Sequence, residues 1–128
     1  MFYKKEIGNF GENEAVKFLK KKHYRIVKRN FSCKFGEIDI IARFKKELVF
    51  VEVKTRSSKA YGGGIMAVNT HKRRNIYITS EIFMNKIKYE GARRYDIIEV
   101  YVDETKSITE INHIENAFPW EGKNGLYY

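Results

Sequence analysis

The run Leu48-Val49-Phe50-Val51-Glu52-Val53-Lys54 leaves a chain of this size few ways to fold. Its first four residues are apolar on both faces, the pattern of a strand covered on both sides of a sheet. A period of two puts Leu48, Phe50, Glu52 and Lys54 on one side and Val49, Val51 and Val53 on the other. The apolar pattern therefore stops at Glu52 and Lys54, side by side where a buried strand reaches its end. A strand buried on both faces needs a covering layer on each, and two segments read as helices. In residues 7–22, Gly8, Glu12, Ala15, Val16 and Leu19 share one face, while Lys17, Lys20 and Lys21 lie elsewhere. Lys20-Lys21-Lys22-His23 suit a helix C-terminus, where cations oppose the dipole. Residues 70–87 begin with the basic run His71-Lys72-Arg73-Arg74 and carry an apolar stripe of Ile76, Phe83, Met84 and Ile87. Residues 24–29, 36–42, 95–102 and 108–114 read as further strands. The order predicts an α/β or α+β arrangement around a mixed sheet. With 128 residues, one proline and no internal repeat, nothing divides the chain, and a single domain over 1–128 is expected.

Three carboxylates stand out. Glu12 falls in the middle of the small, apolar face of the first helix, where a carboxylate needs a partner or a metal. A frayed first turn, weakened by Gly8 and Gly11, would also account for it. Asp39 precedes Glu52 by twelve intervening residues. On a hairpin the two come from neighbouring strands, and on one side of the sheet their carboxylates converge. Carboxylates that close repel unless a cation lies between them. Mg²⁺ or Mn²⁺, with their preference for hard oxygen ligands, suit such a pair. Lys54, on the side of Glu52, would orient or activate a water or stabilise charge developing on a phosphate. Together these groups make a device for hydrolysing a phosphodiester. Charged residues are also common at strand ends, and Glu-x-Lys is a frequent tripeptide, so the pattern alone has an ordinary explanation.

Charge is unevenly spread. Residues 1–94 hold 23 Lys/Arg against 9 Asp/Glu, and residues 95–128 hold 2 against 7, giving +14 and −5. A basic body with an acidic tail points to a polyanion partner, nucleic acid above all; lysines that merely solubilise a helix face would give the same count. The composition, 43% hydrophobic and 32% charged, is that of a globular chain and excludes a disordered one. Cys33 is the only cysteine, which excludes an internal disulfide and a cysteine-based zinc site. His23, His71 and His113 have no metal-ligand spacing. No apolar run follows the first lysines, and no window approaches the ~20 apolar residues of a membrane span. The expectation is a cytoplasmic protein with no membrane partner.

Gly36-Glu37-Ile38-Asp39-Ile40-Ile41-Ala42 and Val49-Phe50-Val51-Glu52-Val53-Lys54-Thr55-Arg56 resemble the signature of the YraN family, small bacterial nuclease-like proteins of largely unassigned role. More widely, the pattern is similar to archaeal Holliday junction resolvases and the PD-(D/E)xK nuclease superfamily. Gly8-x-x-x-Glu12 with Ala15, Phe18 and Leu19 resembles the first-helix motif of both groups. Ala67-Val68 with Lys72-Arg73-Arg74, Arg94-Tyr95-Asp96-Ile97-Ile98 and His113-Ile114-x-Asn116-Ala117-Phe118 also match the YraN pattern, so the resemblance covers nearly the whole chain.

The resemblance implies a restriction-endonuclease-like α/β domain, a mixed central sheet flanked by helices. The implied activity is a metal-dependent DNA endonuclease acting on branched or structured DNA. Asp39 and Glu52 would bind Mg²⁺ or Mn²⁺ together with the Val53 backbone carbonyl, and Lys54 would be the catalytic lysine. Glu12 would complete the acidic cluster directly or through water. Kinship with the resolvases implies a homodimer. Basic residues placed to meet a nucleic-acid backbone are Arg43, Lys45 and Lys46 in the turn after Ala42, then Arg56, and His71, Lys72, Arg73 and Arg74. Three features depart from the pattern. Ile38 precedes Asp39 where a proline is frequent, the turn 43–47 is unusually basic, and His23 stands where relatives often end the helix with glycine. Gly62-Gly63-Gly64 reads as a connector or as a lid over the site. Trp120, Tyr127 and Tyr128 read as packing or contact residues, with base stacking as the alternative. The rival readings are a non-catalytic nucleic-acid-binding module on the same fold and a protein–protein adaptor working through the acidic tail.

Overall fold

Helix α1 (Lys4–Lys21) leads into strands β1 (Arg25–Cys33), β2 (Gly36–Phe44) and β3 (Glu47–Arg56), followed by α2 (Thr70–Ile87), β4 (Ala92–Val102) and β5 (Ile108–Ile114). The computed structural model describes residues 4–57 and 70–118; Gly62-Gly63-Gly64, Ala67-Val68, Trp120, Tyr127 and Tyr128 lie outside the described residues. The five strands form one sheet in chain order. Strands β1, β2 and β3 pair antiparallel, β3 and β4 pair parallel, and β5 returns antiparallel to β4. The parallel pair requires a crossover, and α2 lies within it. The protein is thus α/β with a mixed sheet and two helices, as the order of elements predicts.

The central strand is β3, where Leu48, Val49, Phe50 and Val51 are each at most 1% exposed. Leu48 and Phe50 pack with Ile76, Phe83 and Met84 of α2 and with Tyr95 and Ile97 of β4. Val49 and Val51 pack with Ala15, Val16 and Leu19 of α1 and with Ile98 and Val100 of β4. Two elements differ from expectation. Strand β1 runs on to Cys33 rather than ending at Arg29, and the Cys33 Sγ lies 3.5 Å from the Thr79 hydroxyl. Ile87, expected in the apolar stripe of α2, is 45% exposed. It is the last helical residue. Lys88 then turns the chain at φ 58°, Tyr89 donates its N–H to the Met84 carbonyl at 2.9 Å, and Tyr89 packs on the core instead. Among the described residues, no helix is long and apolar enough to cross a membrane.

Two polar features fix α1 on the sheet. At its C-terminus His23 takes the left-handed conformation (φ 71°), its N–H bonded to the Lys20 carbonyl and that of Tyr24 to the Leu19 carbonyl. This is the closing motif usually given to glycine, and the departure seen in the sequence is a histidine doing glycine's job. Beyond it lies a buried network built from the two C-terminal motifs. The Asp96 carboxylate accepts the Arg94 Nε–H and Nη2–H, each at 2.8 Å, the Asn116 N–H at 2.9 Å, and a hydrogen bond from His113 Nε2 at 2.7 Å. The Lys22 ammonium lies 2.7 Å from His113 Nδ1, which leaves the proton on Nε2, and Arg94 reaches the Tyr24 hydroxyl. Burial opposes the charge of Asp96, but the bonds from His113, Arg94 and the Asn116 N–H outweigh it and hold its carboxyl below the usual value. Strands β4 and β5 and the α1–β1 junction are joined through this one anion.

Midway along α1, Gly11 lies against Thr55 of β3. A Cβ on Gly11 would stand 1.9 Å from the Thr55 hydroxyl oxygen and 3.0 Å from its Cβ. The sequence suggests Gly11 as a source of fraying; its role is instead to let the helix lie close to the strand, which sets the position of Glu12. Gly11→Ala should therefore cost about 1–3 kcal/mol in denaturant unfolding. Adding Thr55→Ala should recover part of that loss, because only the hydroxyl and methyl are removed; purely additive costs would contradict the close approach.

Candidate active site

Strands β2 and β3 pair from Phe44↔Glu47 up to Ile40↔Val51 and no further. At that point the alternation of β2 slips. Ile38 and Ile41 pack on the α2 side although three residues apart, while Ile40 and Ala42 pack on the α1 side. Asp39 sits at the slip, in the opening between the two strands. Its Oδ2 accepts the Val53 N–H at 2.8 Å, replacing the bond that a continued ladder would have made. In an extended strand the N–H and C=O of one residue point to the same side, so the Val53 carbonyl is aimed into the same opening.

Glu52 arrives from β3, on the face packed by α2, and is 8% exposed. Its charge acts on Asp39, which it faces across the opening. Burial above all, and then the Glu52 charge, raise the Asp39 carboxyl from its ordinary 3.8 to about 7. Two ammonium groups face the same Glu52 oxygen: Lys54 Nζ at 3.8 Å and Lys72 Nζ, from the first turn of α2, at 3.3 Å. Burial, with the adjacent Lys72 next, brings the Lys54 amine down from 10.5 to about 8. Burial also opposes the charge of Lys72, but its contacts with Lys54 and Glu52 outweigh this and raise it.

Glu12 stands on the α1 side, 7% exposed and close enough to add its field to Asp39. Its Oε1 accepts the Arg29 Nε–H at 3.0 Å and the Asn30 side-chain amide at 3.0 Å. The partner that a carboxylate on a packed face needs is thus Arg29 of β1. Among the described residues, no three His, Cys, Asp or Glu side chains are grouped to enclose a cation by themselves. A hexahydrate-type cation does not need them, since Mg²⁺ is commonly held by one or two carboxylates with water and substrate oxygens completing the shell. Asp39 and Glu52 fit that requirement chemically: a dication would offset the burial and the Glu52 charge that now oppose ionisation of Asp39.

The other basic residues singled out in the sequence are scattered. Arg43, Lys45 and Lys46 lie at the far end of the β2–β3 hairpin, Arg43 about 13 Å and Lys45 about 20 Å from Asp39 at the ordinary rise of a strand. There the Arg43 guanidinium lies over the Tyr89 ring at 5.5 Å and the Lys45 ammonium over Phe44 at 5.2 Å. Arg56 closes β3, half-buried, with its Nε buried and unpaired. Of the basic quartet on α2, Lys72 joins the site; His71 is exposed near Asn75, the Arg73 guanidinium lies over Phe118 at 5.8 Å, and Arg74 is half-buried on the helix. Arg29 and Asn30 were invisible as site residues in the sequence. Their only local signal is Asn30 itself, a residue tolerant of the positive φ of 53° that it adopts.

Fold and site together define an α/β protein whose mixed sheet gathers two carboxylates and two lysines where its central antiparallel pair opens. The chain belongs to the uncharacterised protein family UPF0102, whose family model matches residues 11–100, and this is the YraN family that its motifs resemble. A UPF0102 protein of Caldicellulosiruptor saccharolyticus is 45% identical over 116 residues, covering 90% of this chain and 98% of the relative. One from Caldanaerobacter subterraneus subsp. tengcongensis is 44% identical over 117 residues, covering 90% and 96%. A Clostridium botulinum relative is 44% identical over 116 residues, covering 89% and 94%.

The raised Asp39 carboxyl has a consequence for stability. Below about pH 4 the folded and unfolded chains both hold its proton, and its stabilising contribution is complete. As pH rises through 7 that contribution is lost, because the folded state must ionise a half-buried carboxyl beside Glu52. In EDTA, the melting temperature of the wild type should fall from pH 5 to pH 8 more steeply than that of Asp39→Asn, which keeps an acceptor for the Val53 N–H. Parallel curves would show that Asp39 is not shifted.

Proposed function

We propose that this protein is a metal-dependent DNA endonuclease that hydrolyses phosphodiester bonds on a restriction-endonuclease-like fold, related to the Holliday junction resolvases that its motifs resemble. The observation that carries the reading is the half-buried Asp39, held by the Val53 N–H in the field of the buried Glu52, with Lys54 beside Glu52. Such a set, paired with charges that it does not neutralise, is the kind found where chemistry rather than packing is at stake. Asp39 and Glu52 would hold Mg²⁺ or Mn²⁺, with the Val53 carbonyl as a third oxygen and Glu12 acting through water. Bound there, the cation would polarise the phosphate and make a coordinated water more acidic.

The chain's own groups supply the rest. Lys54 lies on the face of Glu52, and its lowered amine is suited to orienting the attacking water or to stabilising charge that develops on the phosphate. Arg29 and Asn30 keep Glu12 aimed toward the opening. The basic body of the chain favours a polyanion. The proposed assembly is a homodimer in the cytoplasm, acting on branched or structured DNA.

Labelled linear duplex, single strand, flap and four-way junction should be incubated with the protein in Mg²⁺, Mn²⁺ or EDTA. Cutting is expected with the metals alone. Asp39→Ala should abolish metal binding and cleavage together; Lys54→Ala should keep metal binding and lose at least about a hundredfold in cleavage rate. Cleavage retained by purified Asp39→Ala, or cutting in EDTA, would overturn the mechanism. DNA binding that persists in EDTA with no cutting in either metal would favour the non-catalytic module.

A further inference from the structure

Lys72 does more at this site than a phosphate contact on a helix surface would. Its ammonium lies 3.3 Å from Glu52 Oε1, nearer than Lys54 at 3.8 Å, so two cations share one carboxylate oxygen. The two lysines are held differently. Lys54 is two residues from Glu52 on the same strand, and its side chain is 17% exposed; it has nowhere to go. Lys72 reaches over from another element, its side chain is 39% exposed, and its stem has four rotatable carbons leading toward solvent. It also stands in the first turn of α2, which has no acidic residue to offset the positive end of the helix dipole. A cation is disfavoured there, and Glu52 is what compensates it.

A dication on Asp39 and Glu52 would draw on the same oxygen that Lys72 now occupies. Two ammonium groups and a dication around one carboxylate repel, and Lys72 is the more exposed of the two lysines. Resting on the metal-site reading above, we propose that Lys72 is an internal counter-ion of the carboxylate pair: it neutralises Glu52 when no metal is present and must be displaced for the metal to bind. The metal and the lysine then compete for Glu52. Displacement turns the ammonium outward, toward the side from which a phosphate would approach.

Mn²⁺ binding, followed by electron paramagnetic resonance of the free ion, tests this without any substrate. Lys72→Met and Lys72→Gln should each bind Mn²⁺ about five- to tenfold more tightly than the wild type, the effect of removing a unit charge a few ångströms from a dication in a partly solvated site. Lys72→Arg should bind like the wild type. Asp39→Asn should bind weakly or not at all. If Asp39→Asn loses binding while both neutral Lys72 variants bind no more tightly than the wild type, the competition is wrong and the metal site stands. If the wild type binds no Mn²⁺, both readings fall.

Discussion

Val53 has a backbone N–H that β2 stops short of pairing, and the Asp39 carboxylate takes it at 2.8 Å. That bond fixes the site. It holds Asp39 at the point where two strands part, so that its carboxyl lies between the two faces of the sheet. Glu52 then meets it from the α2 face, while Glu12 acts on it from the α1 face. A ladder continued by one more pair would have satisfied the same N–H with a carbonyl and turned Asp39 to a single face. The cost is a half-buried carboxyl with another carboxylate's charge beside it, a state that proteins keep at places where something positive is to be bound.

Two aspartates of this fold, the buried Asp96 and the half-buried Asp39, show how environment decides role. Asp96 receives the Arg94 guanidinium, His113 and the Asn116 N–H, and its charge is held in place. Asp39 receives one N–H and faces the Glu52 charge, and its own charge is resisted. Both are the same group withdrawn from water, yet one set of donors completes an anion and the other leaves it incomplete. Asp96 accordingly joins strands and helix into one body, while Asp39 is the group that a cation would stabilise. Removing Asp96 would leave Arg94 without its main partner inside the protein, which is the costly way to break a buried pair.

Much of this was legible in the sequence because the signals were periodic. The double-sided apolar run identified β3 as central, its alternation assigned Glu52 and Lys54 to one face, and the 3.6-residue stripe placed Glu12 among buried neighbours. The limits of α2 followed from the basic start and the apolar stripe. What stayed hidden were pairings between distant residues. Nothing near Arg29 marks it as the partner of Glu12, 17 residues earlier, and nothing near Lys72 marks it as a neighbour of Glu52. The slip in β2 at Asp39 was also unreadable, since Ile38, Ile40 and Ile41 suit either face equally well. The basic turn Arg43–Lys46 lies at the far end of the hairpin from the carboxylates, a separation in space that its nearness in sequence does not show.

The central claim is that the opening between β2 and β3 is a divalent-cation site. The most direct measurement is anomalous diffraction from crystals of the protein soaked in Mn²⁺. The account predicts one strong peak within about 2.2 Å of oxygens from both Asp39 and Glu52. Saturating Mn²⁺ that leaves this position without a peak, or that appears only elsewhere on the surface, would contradict it.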